Sequence, residues 1–127
     1  MAYRVKEADF RAYAARVLDG LPGEFRKHME NVVVVVEDYP SIEDAASAGS
    51  PREGLLGLFH GVTRLEQEWS GGAPGQLPEW IVLYKRNIEA VCSTKEEIVE
   101  EIRLTVLHEI GHYFGLSEED MEKYENG

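Results

Sequence analysis

Thr94-Lys95-Glu96-Glu97-Ile98-Val99-Glu100-Glu101-Ile102-Arg103-Leu104-Thr105-Val106-Leu107-His108-Glu109-Ile110-Gly111-His112-Tyr113-Phe114-Gly115 decides how this chain folds. Thr94 followed three residues later by Glu97 is a capping-box pattern, in which hydroxyl and carboxylate satisfy free backbone N–H groups at a helix start. Ile98, Val99, Ile102, Val106, Ile110 and Phe114 then recur at helical spacing. Gly115 closes the helix, because glycine tolerates the left-handed cap. On a helical wheel the apolar arc runs from Ile98 through Ile102, Val106, Ile110 and Phe114 to Leu107. Glu109 projects at one edge of that arc, next to Ile98 and Ile102, with His108 and His112 just beyond it. A carboxylate at a partly apolar position costs free energy unless it is paired or functional.

Outward from this helix, Ser117 to Asp120 repeats the capping pattern and opens a short acidic terminal helix. Towards the N-terminus, Phe10, Tyr13, Ala14, Val17 and Leu21 recur at helical spacing and predict a helix from about Ala8 to Asp19, stopped by Gly20 and Pro22. One further helical turn is expected around Pro22 to Lys27. Val32-Val33-Val34-Val35-Val36 is β-branched throughout and reads as a strand buried on both faces. Leu55 to Gly61 is a weaker strand bounded by glycines, and Trp80 to Lys85 a stronger one. Trp69 to Gly75 reads as a loop, and Tyr39 to Arg52 as a connection with one helical turn starting at Ser41. The predicted order is helix, strand, strand, strand, helix, helix. It implies the α+β class, with a small mixed sheet packed against helices.

His108 and His112 are four residues apart, so on a helix they lie roughly 40° apart around the axis. Two imidazoles one turn apart reach one tetrahedral cation, with zinc–nitrogen bonds of about 2.0–2.1 Å. Glu109 is offset by one residue, beside the pair, where it takes a proton from a metal-activated water without being a ligand. Zinc lowers the pKa of such a water to about 7. A single histidine on a helix is usually structural; the whole His-Glu-x-x-His pattern inside a well-capped helix rarely arises by chance. A zinc site needs a third protein ligand. After Gly115 reverses the chain, Glu118 comes back toward the metal, in the extended pattern of the metzincin peptidases with glutamate in place of histidine. Glu119 and Glu122 are rivals on the same turn. An acidic residue after the Ser117 cap is also favoured by the helix dipole alone.

The tail Thr105 to Glu119 resembles a family of small bacterial zincin-like proteins assigned as zinc metallopeptidases. Leu21-Pro22-Gly23-Glu24-Phe25-Arg26, the valine strand, Leu56 to Gly61, and Leu77-Pro78 through Ile81-Val82-Leu83-Tyr84 resemble its other segments, so the likeness covers nearly the whole chain. It implies one minimal zincin-like domain over residues 1–127, with a small sheet beside the active-site helix, and a peptidase activity. Two departures from the larger metzincins stand out. Only 15 residues follow His112, too few for their separate methionine turn, and Met121 is too close to replace it. Neither a pro-segment nor a secretion signal is expected from these residues.

The remaining features narrow the class. The formal net charge of −11 repels nucleic acid and anionic membrane, so neither is expected as a partner, and a nuclease is disfavoured against a peptidase. No apolar run approaches the length of a bilayer span. The charged N-terminus does not read as a signal peptide, so a cytoplasmic location is expected. Cys92 is alone, which rules out an internal disulfide and reads as a small core residue. Tyr84, Tyr113 and Tyr124 are weaker candidates to polarise a scissile carbonyl, and His60 to face the cleft; His28 reads as surface. The sequence therefore points to a zinc-dependent hydrolase of peptide or protein substrates, with Zn2+ on His108, His112 and Glu118 and with Glu109 as general base. Trp80 to Lys85 is expected to pair with the substrate backbone as an exposed edge. The alternative is a non-catalytic interaction module stabilised by zinc. Oligomeric state is not legible.

Overall fold

A computed structural model describes residues 3–26, 32–60, 79–113, 115 and 117–125, with the side chains of residues 24, 118, 121, 124 and 125 outside the description. The expected loop from Trp69 to Gly75, His28 and Phe114 fall outside the described residues. Helix α1 (Glu7–Asp19) is followed by α2 (Gly23–Arg26), β1 (Val32–Glu37), α3 (Ile42–Ser47) and a 3-10 turn at Arg52–Gly54. Then come β2 (Gly57–His60), β3 (Glu79–Tyr84), α4 (Lys85–Ala90), α5 (Lys95–Tyr113) and α6 (Glu118–Glu125). The three strands form one mixed sheet in the order β1-β3-β2, with β1 parallel and β2 antiparallel to β3. This is an α+β fold.

The strand order corrects two sequence expectations. The strand Trp80 to Lys85 is not an exposed edge: it spans Glu79–Tyr84, lies in the centre and is paired on both sides, while Lys85 opens α4. The polyvaline strand is not buried on both faces: it is an edge strand whose Val33 is 54% exposed, and only Val36 is fully buried. A β-branched run records strand propensity and says nothing about which strand becomes central. Burial follows position instead, since Ile81, Val82, Leu83 and Tyr84 of β3 are each 3% exposed or less.

One face of the sheet carries the core. Val32, Val34 and Val36 from β1, Phe59 from β2, and Ile81 and Leu83 from β3 pack with Phe10, Ala14 and Val17 of α1 and with α5. In α5, Ile98, Ile102, Val106, Leu107 and Ile110 are at most 1% exposed, which is the apolar arc that the wheel predicts. Each such isoleucine contributes roughly 1.5–3 kcal/mol by leaving water. The start of α5 is capped as expected: Thr94 Oγ1 accepts from Glu97 N–H at 3.1 Å, and the Glu97 carboxylate reaches back one residue further, to Ser93 N–H at 2.8 Å. Ser41 caps α3 in the same way, accepting from Asp44 N–H at 3.0 Å.

Helix α4 was not legible in the sequence. It holds a buried charge cluster in which Lys85 Nζ donates to Glu89 Oε2 at 2.8 Å and Arg86 Nη1 to Glu89 Oε1 at 3.2 Å. The same carboxylate accepts from Val5 N–H at 2.8 Å, fastening the segment before α1 across the end of the core. Among the described residues, no helix is long and apolar enough to cross a membrane.

Candidate active site

Because the apolar arc of α5 is fixed in the core, the next strip of its surface is fixed too. That strip carries His108 and Glu109, both half-buried, and the exposed His112. The two imidazole centroids lie 6.2 Å apart with ring planes at 84°. Two imidazoles sharing one zinc, with bonds of about 2.0–2.1 Å, hold their centroids roughly 5–6 Å apart. The observed 6.2 Å lies just above that range. Among the described residues, Glu119 and Glu122 included, none completes a group of three with them. The third-ligand expectation, Glu118, has its side chain outside the described residues. Its backbone opens α6 directly after the reversal at Gly115, where φ is 72° and the N–H bonds His112 C=O at 3.1 Å. Ser117 Oγ then caps α6 by accepting from Asp120 N–H at 3.1 Å, and α6 packs back on α5.

Glu109 is held from the sheet. Phe59 N–H donates to its Oε2 at 3.2 Å. The strand register explains why this donor is available. Tyr84 N–H bonds Leu56 C=O at 3.0 Å, so Leu56, Leu58 and His60 turn their polar backbone groups towards β3. In an antiparallel pair the alternate residues, Gly57 and Phe59, turn theirs outward. The outer edge of β2 therefore faces α5, and Glu109 occupies one of its donors. Gly57 sets the closeness of this contact, since a Cβ there would stand 2.6 Å from Thr105 Cγ2 and 3.0 Å from Val82 O. Burial pushes the Glu109 carboxyl above the ordinary range, while the Phe59 hydrogen bond and the charges of His112, His108 and His60 pull it back only in part. A half-buried carboxylate with raised affinity for a proton, beside two imidazoles, suits proton transfer.

The weaker candidates separate. Tyr84 is fully buried and its hydroxyl has no partner among the described residues, so it is a core residue and not one that polarises a substrate. Burial first, then the charges of Asp44, Glu37 and Glu109, push that hydroxyl up to about 12. Tyr113 donates its hydroxyl to Glu79 Oε1 at 2.7 Å and sets its ring 4.4 Å from Phe59. The Tyr124 side chain lies outside the described residues. His60 stacks on Trp80 at 4.9 Å with its Nε2 4.0 Å from Asp44 Oδ2, and its charge acts on Glu109. Cys92 is 2% exposed, its thiol pushed up to about 11 by burial and by the charges of Glu101 and Glu97, which makes it an inert core residue.

Residues 29–127 match the sequence model of the zincin-like metallopeptidases. The chain belongs to the zincin-like metallopeptidase family. No curated protein matches it. Zincin-like proteins generally bind zinc, in keeping with the chemistry of the donor pair on α5. Two parts of this zincin-like site escape sequence reading. One is the Phe59 backbone donor, which depends on strand order. The other is a cavity of about 270 Å3 beside His108 and Glu109, lined by Leu55, Leu56, Gly57, Glu101, Leu104 and Thr105. Glu101, Leu104 and Thr105 precede His108 by seven, four and three residues, so helical spacing alone places them on its face. Nothing in the sequence places Leu55 to Gly57 opposite them.

Proposed function

We propose that this zincin-like protein is a zinc-dependent peptidase in which His108, His112 and Glu118 hold the metal and Glu109 is the general base. The observation that carries the reading is the Glu109 carboxylate: half-buried, held by a backbone donor, and next in sequence to His108, whose ring centroid lies 6.2 Å from that of His112. When bound, zinc supplies Lewis acidity, which makes water acidic near neutral pH and polarises a carbonyl. Glu109 takes the proton of the attacking water as the water oxygen bonds to the peptide carbon. It then returns that proton to the amide nitrogen as the C–N bond breaks, leaving an amine and a carboxylic acid. The acid's proton, the second one of the water, passes to the amine, so the products are a carboxylate and an ammonium. Pairing of an extended substrate with β3 is no part of this reading, because β3 is bonded on both sides.

The test is Glu109→Gln. The amide is nearly isosteric and not a ligand, so zinc content should persist while turnover falls about 10²–10⁴-fold, the usual loss of general-base help. The metal-free variant should also melt at an equal or higher temperature at pH 7. A carboxyl whose folded pKa exceeds its unfolded one loses stability as the pH rises through that interval, and the amide does not. Equal cleavage by both proteins would defeat the mechanism. Absence of cleavage by the zinc-loaded wild type across a broad peptide library would favour a zinc-ordered interaction module.

A further inference from the structure

The cavity beside His108 and Glu109 has a composition that singles out one kind of side chain. Leu55, Leu56 and Leu104 are each half-buried and turn apolar surface to the same space. Gly57 and Thr105 set its depth, since α5 meets β2 there at the closest approach a glycine allows. Among the described lining residues, Glu101 is the one carboxylate besides Glu109, one helical turn before Thr105 and two before His108. Among the described residues its carboxylate has no ion pair or hydrogen bond, and no lysine or arginine is among the described residues that line the cavity. The basic residues on neighbouring elements are committed elsewhere. Arg103 grips Glu100 with two nitrogens at 3.0 and 2.6 Å, Lys85 bonds Glu89, and Arg52 donates to Pro40 C=O at 2.8 Å with its guanidinium over the Tyr39 ring.

The geometry points to this cavity as the pocket for a lysine or arginine side chain flanking the scissile bond, with Glu101 as the residue that selects it; the inference rests on the peptidase reading of the same site. A long basic side chain is amphipathic by segment, with an apolar stem and a charged tip. Its stem covers the leucines and its tip meets the Glu101 carboxylate in the lining. A purely aliphatic side chain would fill the same volume but draw water from Glu101 without replacing its hydrogen bonds. An acidic one would meet like charge. The net charge of −11 acts in the same direction at longer range, concentrating cationic peptides around the protein. The half-exposed position of Glu101 sets the scale. A discrimination of roughly tenfold is expected, above the few-fold worth of an open surface pair and below that of a buried one.

Two measurements on the zinc-loaded protein test this. The first maps every bond cut in a diverse peptide library by mass spectrometry. It then compares kcat/KM for a cut peptide and for its analogue with norleucine in place of the flanking lysine. The second measures binding of the same two peptides to Glu109→Gln by calorimetry. With Glu101 intact, lysine should be preferred over norleucine roughly tenfold in both readouts, kcat/KM of the wild type and binding to Glu109→Gln. Glu101→Gln should bring the ratio close to one, and Glu101→Lys should invert the preference towards a glutamate analogue. Glu96→Gln removes the same charge from the exposed start of α5, and should keep the wild-type ratio. A wild-type ratio near one, or equal ratios in wild type and Glu101→Gln, overturns the assignment. A ratio that falls equally in Glu96→Gln assigns the preference to the overall field and overturns it as well. If no peptide is cut, a library peptide with one central lysine and its norleucine analogue serve in the calorimetry. Tighter binding of the lysine form that Glu101→Gln abolishes then keeps the basic-side-chain pocket while the peptidase reading falls, and equal binding overturns the assignment.

Discussion

Replacing Gly57 by alanine tests the packing that brings the sheet to α5. Gly57 has no positive φ, so alanine fits the backbone and gains roughly 0.4–1 kcal/mol by restricting the unfolded chain. Against this, the new methyl would stand 2.6 Å from Thr105 Cγ2 and 3.0 Å from Val82 O. Carbon atoms prefer about 3.5–4.0 Å, so α5 must retreat by about 1 Å or Thr105 must leave its rotamer. Overpacking of this kind costs about 1–3 kcal/mol. The steric term wins, and Gly57→Ala should destabilise by about 1–2 kcal/mol in urea denaturation with an unchanged m-value. Thr105→Ser isolates the cause, because it deletes Cγ2 and keeps the hydroxyl. Alone it should destabilise by about 1 kcal/mol through the lost methyl. In the double variant the methyl is in effect moved from Thr105 to residue 57, so the two effects should couple favourably by about 1 kcal/mol. Rescue stays partial because Val82 O remains. Additivity within about 0.3–0.5 kcal/mol would refute the contact as the cause.

Glu89→Ala strands the buried Lys85 ammonium and releases Val5, and should cost roughly 3–5 kcal/mol in thermal or urea melts. Burial alone would raise the Glu89 carboxyl, but the Lys85 and Val5 hydrogen bonds with the charges of Lys85 and Arg86 outweigh it and hold it below 4.5. Its contribution is therefore full near neutrality and is lost as the pH falls below 4.5, so the gap between wild type and variant should narrow on acidification. A constant gap from pH 7 to pH 3 would contradict this. Tyr84→Phe removes a buried hydroxyl without a partner among the described residues, and should leave the melting temperature equal or higher; a loss above about 1 kcal/mol would reveal a hydrogen bond. For the third ligand, Glu118→Ala should weaken zinc more than Glu119→Ala or Glu122→Ala in competition with a chelator, and equal affinities would remove Glu118 from the site.

The sequence by itself determined the parts of this protein that are local. Thr94, Glu97, Ser117 and Gly115 place helix ends through bonds to neighbouring backbone, so α5 begins and ends, and α6 begins, as their residues predict. The same periodicity that buries Ile98, Ile102, Val106 and Ile110 aims His108, Glu109 and His112 to one side, because side chains on one helix share one axis. What only the tertiary structure decided is what stands opposite them. Val32 to Val36 and Trp80 to Tyr84 are both strong strand formers, and no local rule says which will lie in the centre. That outcome depends on which order lets α1 and α5 cover one face of the sheet, an interaction between residues far apart in the chain. It makes β2 the edge next to α5, turns Phe59 N–H towards Glu109, and sets Leu55 to Gly57 across from Glu101. The chemical residues are legible because a helix carries them together. Their surroundings are not, because a sheet is assembled from distant segments and only the packed core selects its order.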